Sequence, residues 1–263
     1  MNVRERETVA EPPSAGNARG ELVYGVVRAG TSMAGTPAGF GGAPVRAVAH
    51  GDVAALVSSV GHGDLRATRR DLVNHSAVLE HVLADGPVLP VRFGTVLQDE
   101  EAVVSDLLEP HARELEALLS RFEGLVELRV KAFYVEKEVL REVVRSNPGI
   151  ARLRESVREL PEAASYAHRL RLGEAVARAV EAERAADADA ILGRLRPLSE
   201  NVVVEREPAS GLVLAASFLV ARRGIDEFDA AMNELAERFD GRIRFKYLGP
   251  LPPHSFVSLP GAV

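Results

Sequence analysis

A chain of 263 residues, 46% of them hydrophobic, carries enough apolar side chain to bury a sizeable core in one large domain or two ordinary ones. Its 38 acidic and 32 basic residues leave a net charge of −6, a field that repels nucleic acid and anionic lipid, and no stretch of sequence gathers positive charge against it. Cysteine is absent, which excludes disulfides, zinc–thiolate sites and a thiol nucleophile and fits a reducing, cytoplasmic location.

The basic residues are 29 Arg and only 3 Lys (Lys131, Lys137 and Lys246), a bias that reads as the coding habit of a GC-rich genome. Acidic residues are interleaved with them throughout, which argues against an Arg-driven phosphate surface. Residues 1–20 read as a disordered leader, with no apolar stretch to serve as a secretory signal. The most apolar window, Leu212 to Ala221, is half the roughly 20 residues that a membrane-spanning helix needs.

Leu22 to Arg28 is β-rich and leads into a Gly-rich stretch, Gly30 to Gly42. A phosphate-binding loop there would need a Gly-Lys-Ser/Thr ending that opens a helix; lacking any Lys, the stretch is expected to be a flexible surface loop. Val45–Ala49 and Val53–Ser59 form a hairpin across His50-Gly51-Asp52. Thr68 and Asp71 make a near capping box for a helix that runs to about Asp85, with Leu72, Leu79, Val82 and Leu83 on one face and Gly86-Pro87 as its stop. His75 and His81, six apart, fall on different faces and read as ordinary polar positions rather than a metal pair. Val88 to Leu97 is expected to be mostly strand. Arg92 is the lone charge in its apolar run, expected to be a structural Arg holding a neighbouring loop through a carboxylate or carbonyl in preference to a direct ligand contact, and Gly94 permits a bulge.

Asp99-Glu100-Glu101 starts a helix in which Val104, Leu107, Leu108, Leu115, Leu118, Leu119 and Phe122 keep helical spacing. Pro110 predicts a break near Glu109. The helix dipole accounts for the acidic cluster without a metal or an acid–base pair. From Leu125 the period becomes two: Val126, Leu128, Val130, Ala132 and Tyr134 face one way, and Glu127, Arg129 and Lys131 the other, as in a half-buried strand. Helices broken at Asn147-Pro148-Gly149 and around Pro161 precede a long one from about Tyr166 to Leu195, whose Leu170, Gly173, Ala177 and Val180 make a small-residue stripe for an antiparallel neighbour. Val202–Arg206 and Leu212–Ala221 are strands across a Pro208-Ala209-Ser210-Gly211 turn. Ile225, Phe228, Met232, Leu235 and Phe239 mark an amphipathic helix, and Ile243, Phe245 and Tyr247 alternate with Arg242, Arg244 and Lys246 in a last strand.

The fold class expected is therefore α+β, with two αβ modules, the second ferredoxin-like (βαββαβ) with an enlarged helical crossover. The divisions are a leader at 1–20, a module at 21–98, a connecting helix at 99–124, a module at 125–248 with a helical insertion at about 137–195, and a Pro-rich tail at 249–263. Beyond Leu248, Pro250, Pro252 and Pro253 remove donors, so the tail is expected to leave the sheet and to close a core with Leu251 and Phe256 or to meet a partner.

Neither Pro90-Val91-Arg92-Phe93-Gly94-Thr95 nor Gly249-Pro250-Leu251-Pro252-Pro253-His254-Ser255-Phe256 is a catalytic signature. Both resemble segments of the gas vesicle protein family GvpL/GvpF, "PxRFGT" and "GPLPPYSF", with His254 in place of the usual Tyr and a similarity that spans about Leu22 to Val257. The resemblance implies an accessory protein of gas vesicle assembly, associated with the vesicle in the cytoplasm, that binds the hydrophobic shell subunit and helps to nucleate or build the vesicle. It implies no reaction and no cofactor and leaves room for other accessory proteins as partners, while the residues and the charge themselves give no sign of a metal, nucleic-acid or membrane role. Arg92, Phe93, Pro250, Leu251, Pro252, Pro253 and Phe256 are the candidate structural or partner contacts. An enzyme or small-ligand sensor on a ferredoxin-like frame is the alternative, although no Gly-x-Ser-x-Gly, His-Glu-x-x-His or nucleotide fingerprint occurs.

Overall fold

The structure is a computed structural model and describes residues 19–61, 68–159, 161, 165–205 and 209–259. It is a mixed α+β fold with two antiparallel sheets, and the chain divides into two compact units, one reaching to Arg121 and including the residues from Ser258, the other running from Phe122 to Val257.

In the first unit β1 (Arg19–Arg28) is the spine, an apolar run suited to burial from both faces. It begins inside the expected leader, at Arg19 and Gly20; the leader's other residues lie outside those described. Strand β2 (Arg46–His50) returns into β3 (Val53–Gly61) through Gly51, whose φ of 57° the tight turn requires. The sheet order is β2-β3-β1-β4, with β4 (Leu89–Pro90) and β5 (Val96–Leu97) both paired to β1. A continuous strand over 88–97 does not form. Instead Val91 N donates to Tyr24 O and Val23 N to Thr95 O, each at 2.9 Å, and between them Thr95 folds back on the Arg92 carbonyl with Gly94 at φ 94°.

Helix α1 (Arg69–Leu83) opens with a complete Thr68–Asp71 capping box. Its buried face is His75, Val78, Leu79, Val82 and Leu83, whereas Leu72 is 46% exposed. Periodicity identifies the face, but not where along the helix its cover begins. After α2 (Glu100–Ala102), capped by Asp99 Oδ1 on Ala102 N at 2.8 Å, the chain widens into a π-helix over Val103–Leu108. Pro110 then ends the ladder and α3 (Ala112–Arg121) restarts it, burying Leu115 and Leu119.

The second unit is a sheet of order β7-β8-β6-β9, built from β6 (Leu125–Tyr134), β7 (Asn201–Val204), β8 (Leu212–Ala221) and β9 (Ile243–Leu251). All its pairings are antiparallel. Between β6 and β7 come α4 (Glu136–Ser146), α5 (Pro148–Glu159) and α6 (Tyr166–Leu195), and between β8 and β9 comes α7 (Ile225–Arg238), which buries Phe228, Ala231, Met232 and Leu235. The predicted end of β7 at Arg206 and the turn residue Pro208 lie outside the described residues.

Two expectations are corrected here. Leu170, Gly173 and Ala177 are exposed, with Leu170 at 55%, so the small-residue stripe is not what seats α6. The seat lies further along, where Asp187, Ile191 and Leu195 are buried, because larger side chains displace more water per contact. Second, the chain does not leave the sheet after Leu248. Strand β9 continues to Leu251, which pairs with Glu127, after a bulge of one extra residue opposite Glu127–Arg129. Its place at the sheet's edge explains this: Pro250 lacks a donor, but an edge strand faces only one neighbour.

Candidate functional site

The second unit's most concentrated chemistry lies on the sheet face to which β6 turns its charged residues. Period-two alternation sends Glu127, Arg129 and Lys131 there together, and from sequence all three read as solvent-facing. Glu127 is in fact 0% exposed. Its Oε1 accepts from the Arg129 guanidinium, Ser217 Oγ and Ser255 Oγ, each at 2.9 Å, and its Oε2 accepts from the Ser255 backbone N at 2.7 Å. A buried carboxylate is tolerated when a cation and several donors replace its water, and here four groups do so. Glu205 Oε1 lies 3.7 Å from Arg129 Nε and 3.2 Å from Ser217 Oγ, so the single Ser217 proton is shared between two carboxylates.

This arrangement holds the C-terminal motif. Pro252 and Pro253 are buried, Leu251 and Phe256 are half-buried, and Pro250 is exposed. His254 N donates to Pro252 O at 2.7 Å and Phe256 N to Pro253 O at 3.1 Å, a turn that presents the Ser255 N–H to Glu127. Glu127 and Ser255 were not singled out from sequence. The available signal was an acidic residue within a strand whose partner strand also offers a serine, Ser217, at the neighbouring register position.

The other two candidates lie in the first unit. Arg92, expected to be held by a carboxylate or carbonyl, is exposed, and its guanidinium has no hydrogen bond or ion pair among the described residues. The tight turn at 92–95 explains this, since it carries the side chain out of the apolar run. Phe93 is half-buried, edge-on to the His75 ring at 5.3 Å, and His75 stacks on Tyr24 at 5.0 Å. The Tyr24 hydroxyl shares a hydrogen bond with Ser58 Oγ and accepts from Phe40 N, both at 2.8 Å, and burial pushes its pKa above the ordinary value. The Gly-rich loop is thus fastened at Phe40 instead of loose. Gly39 has to be glycine, because a Cβ there would overlap the Tyr24 hydroxyl.

A third cluster joins α4, α6 and the end of β6 through Arg242, the residue before β9. Arg242 reaches Glu142 at 2.6 Å, Asp187 at 2.7 Å and Glu183 at 2.9 Å, and the Tyr134 hydroxyl donates to Asp187 at 2.5 Å. Burial, then the hydrogen bond to the Asp187 carboxylate, raise the Tyr134 pKa well above the ordinary phenol value. Beside it, at the end of β6, opens a cavity of about 780 Å³ lined by residues that include Phe133, Lys137, Ser210, Arg244 and Lys246. Among the described residues no group of three or more His, Asp or Glu is placed to hold a metal, and no helix is long and apolar enough to cross a membrane. The carboxylates are occupied as acceptors of structural hydrogen bonds, an arrangement that immobilises chain.

Comparison with known proteins agrees with this architecture. The model of the family described as "Gas vesicle synthesis protein GvpL/GvpF" matches residues 20–258. Gas vesicle protein F of Streptomyces sp. (strain CB03234) is 40% identical over 241 residues, covering 89% of this chain and 98% of the relative. Gas vesicle protein L of the same strain is 29% identical over 249 residues, covering 84% and 86%. The crystal structure of GvpF from Anabaena sp. PCC7120 superposes with a TM-score of 0.80 over 92% of this chain and 99% of that one, at 24% identity, which bears on the fold alone. With a family match that spans nearly all of its length and a relative this similar, the chain belongs to the gas vesicle synthesis protein family GvpL/GvpF.

Proposed function

We propose that the protein is a non-catalytic accessory protein of gas vesicle assembly that binds the hydrophobic shell subunit in the cytoplasm and helps to nucleate or build the vesicle. The observation that carries this reading is the family match over residues 20–258, nearly the whole chain. The physics is consistent with it. A subunit destined to face gas on one side exposes apolar surface until it is assembled, and a partner with free sheet edges can hold such a chain. The outer strands β7 and β9 offer two such edges in the second unit. The greater identity to protein F than to protein L of one Streptomyces strain, 40% against 29%, supports placing the chain in the F branch.

The strand order β7-β8-β6-β9, with α7 between β8 and β9, supports a ferredoxin-like reading of the second unit, and the run α4–α6 supports a helical subdomain at about 137–195. We read Leu251, Pro252, Pro253 and Phe256 as closing this unit and Arg92, with the half-buried Phe93 beside it, as the more accessible contact. The test is to delete the gene from a vesicle-forming cluster and, separately, to pull down the shell subunit with the purified full chain. Loss of vesicles together with retention of the subunit is expected. Normal vesicles in the deletion strain, or no retention by the intact protein, would overturn the proposal.

A further inference from the structure

The fold brings all 3 lysines of the chain to one end of the second sheet. Lys131 on β6 and Lys246 on β9 are direct register partners, and Lys137 stands in the first turn of α4. Lys137 and Lys246, with Arg244, line the cavity of about 780 Å³ whose walls include Phe133, Phe245 and the Ser210-Gly211 turn. Lys246 Nζ lies 5.3 Å from the centre of the Phe133 ring. Among the described residues, Lys137, Arg244 and Lys246 form no ion pair. The carboxylate in the lining, Glu136, accepts from Ser210 Oγ at 3.2 Å.

In a chain of net charge −6 this grouping runs against the overall field. Arg46, Arg129 and Arg242 all have carboxylates against them. The shape narrows the class of ligand. The cavity is large for a lone phosphate, has aromatic walls, and borders β9, an outer strand of its sheet. Arg244 and Lys246 are two apart on that strand, so they share one face. An extended chain laid along β9 would repeat with the same period, placing carboxylates at alternate positions beside the two cations.

We propose that this cavity and the adjoining edge of β9 bind an extended acidic segment of a partner protein, with Lys137, Arg244 and Lys246 meeting its carboxylates and Phe133 its apolar stem. The proposal goes beyond the shell-subunit reading and does not depend on it. Labelled hexaglutamate titrated with the purified full chain, with binding read by fluorescence anisotropy and no vesicle protein present, tests it. Hexaglutamate binds and hexaglutamine does not, and the affinity falls as salt is raised. Lys137→Glu with Lys246→Glu weakens binding roughly tenfold or more, while Arg152→Glu, an exposed cation on α5, leaves it within about twofold. If the double Glu variant loses its circular dichroism signature, Lys137→Ala with Lys246→Ala is measured instead, with roughly fivefold weakening expected. Three results overturn the proposal: no hexaglutamate binding at low salt, equal weakening by Arg152→Glu, or saturable binding of inorganic pyrophosphate without any binding of the peptide.

Discussion

Replacing Glu127 by Gln removes one charge while keeping the shape of the side chain, so it isolates what the buried carboxylate does. Gln can accept at one atom and must donate at the other, so either the Ser255 N–H, now bonded at 2.7 Å, or the set of three donors on Oε1 loses its acceptor. Arg129 also loses its fully buried counter-ion and keeps only the more distant, part-exposed Glu205. A charge-assisted hydrogen bond contributes about 1.5–3 kcal/mol, and a donor left unpaired costs about 1–3 kcal/mol. Because Arg129 is 31% exposed and partly rescued by water, we expect a net loss of about 2–4 kcal/mol. For a chain of this size that lowers the melting temperature by roughly 4–16 °C. Ser255→Ala removes only the hydroxyl and should cost about 1–2 kcal/mol. The double variant should be less destabilised than the sum, with a coupling of about 0.5–3 kcal/mol, because the two groups share one contact. Amide hydrogen exchange at Ser255 should quicken in Glu127→Gln well before global unfolding. A Glu127→Gln protein that melts within a degree of the parent, with Ser255 exchange unchanged, would refute the account of Glu127 as the anchor of the C-terminal motif.

Three further outcomes are expected. Gly39→Ala should destabilise the first unit by about 1–3 kcal/mol, since the added Cβ forces the Tyr24 hydroxyl off Phe40 N; Gly30→Ala, with φ 82° but open space around it, should cost only about 1–2 kcal/mol of backbone strain, and denaturant titration of both separates the two mechanisms. Asp187→Ala should cost about 1–3 kcal/mol, limited because Arg242 keeps Glu142 and Glu183, and tyrosine fluorescence should report the loss of the Tyr134 hydrogen bond. Tyr24, Tyr134 and Tyr247 all have pKa values raised above 10.0, each first by burial, so the neutral phenol is the form the fold favours. That contribution is whole below pH 10 and is lost as pH rises beyond it, because the unfolded chain releases its protons first. Spectrophotometric titration should therefore show Tyr24, Tyr134 and Tyr247 ionising late and together with unfolding, and independent ionisation of these three near pH 10 would contradict the burial argument.

The legible parts of the fold are those whose signal is local. The Thr68–Asp71 box needs four consecutive residues, the Pro110 break needs one missing N–H, and the spacing from Ile225 to Phe239 needs one helix face, and each element appears where those signals put it. The failures come where distant chain supplies the missing term. Leu72 keeps the right period and lacks cover, while Leu170 belongs to a plausible stripe and faces water. The stretch 88–97 is apolar enough for a strand, but β1 accepts it at two short places and a Gly94 turn occupies the interval.

Glu127 and the C-terminal motif show the same limit at the candidate site, and they also show how it can be crossed. Proline spacing alone reads as chain leaving the sheet, and an acidic residue on the outward phase of β6 reads as solvated; both readings are sound for isolated segments. They fail together, because each supplies what the other lacks. The strand brings a carboxylate that burial would penalise, and the proline-ordered turn brings a rigid N–H and hydroxyl to the one place where that carboxylate needs donors. Pro252 and Pro253 lower the conformational entropy that Ser255 would otherwise lose on docking. It follows that Pro252→Ala and Pro253→Ala should weaken the docking through the unfolded state while leaving every Glu127 hydrogen bond in place. Their combined cost should be about 1–2 kcal/mol plus whatever apolar contact is lost, with Ser255 exchange quickened less than in Glu127→Gln. Exchange quickened more by the proline changes than by loss of the carboxylate would mean that apolar burial of the prolines, and not the Glu127 contact, holds the motif to the sheet.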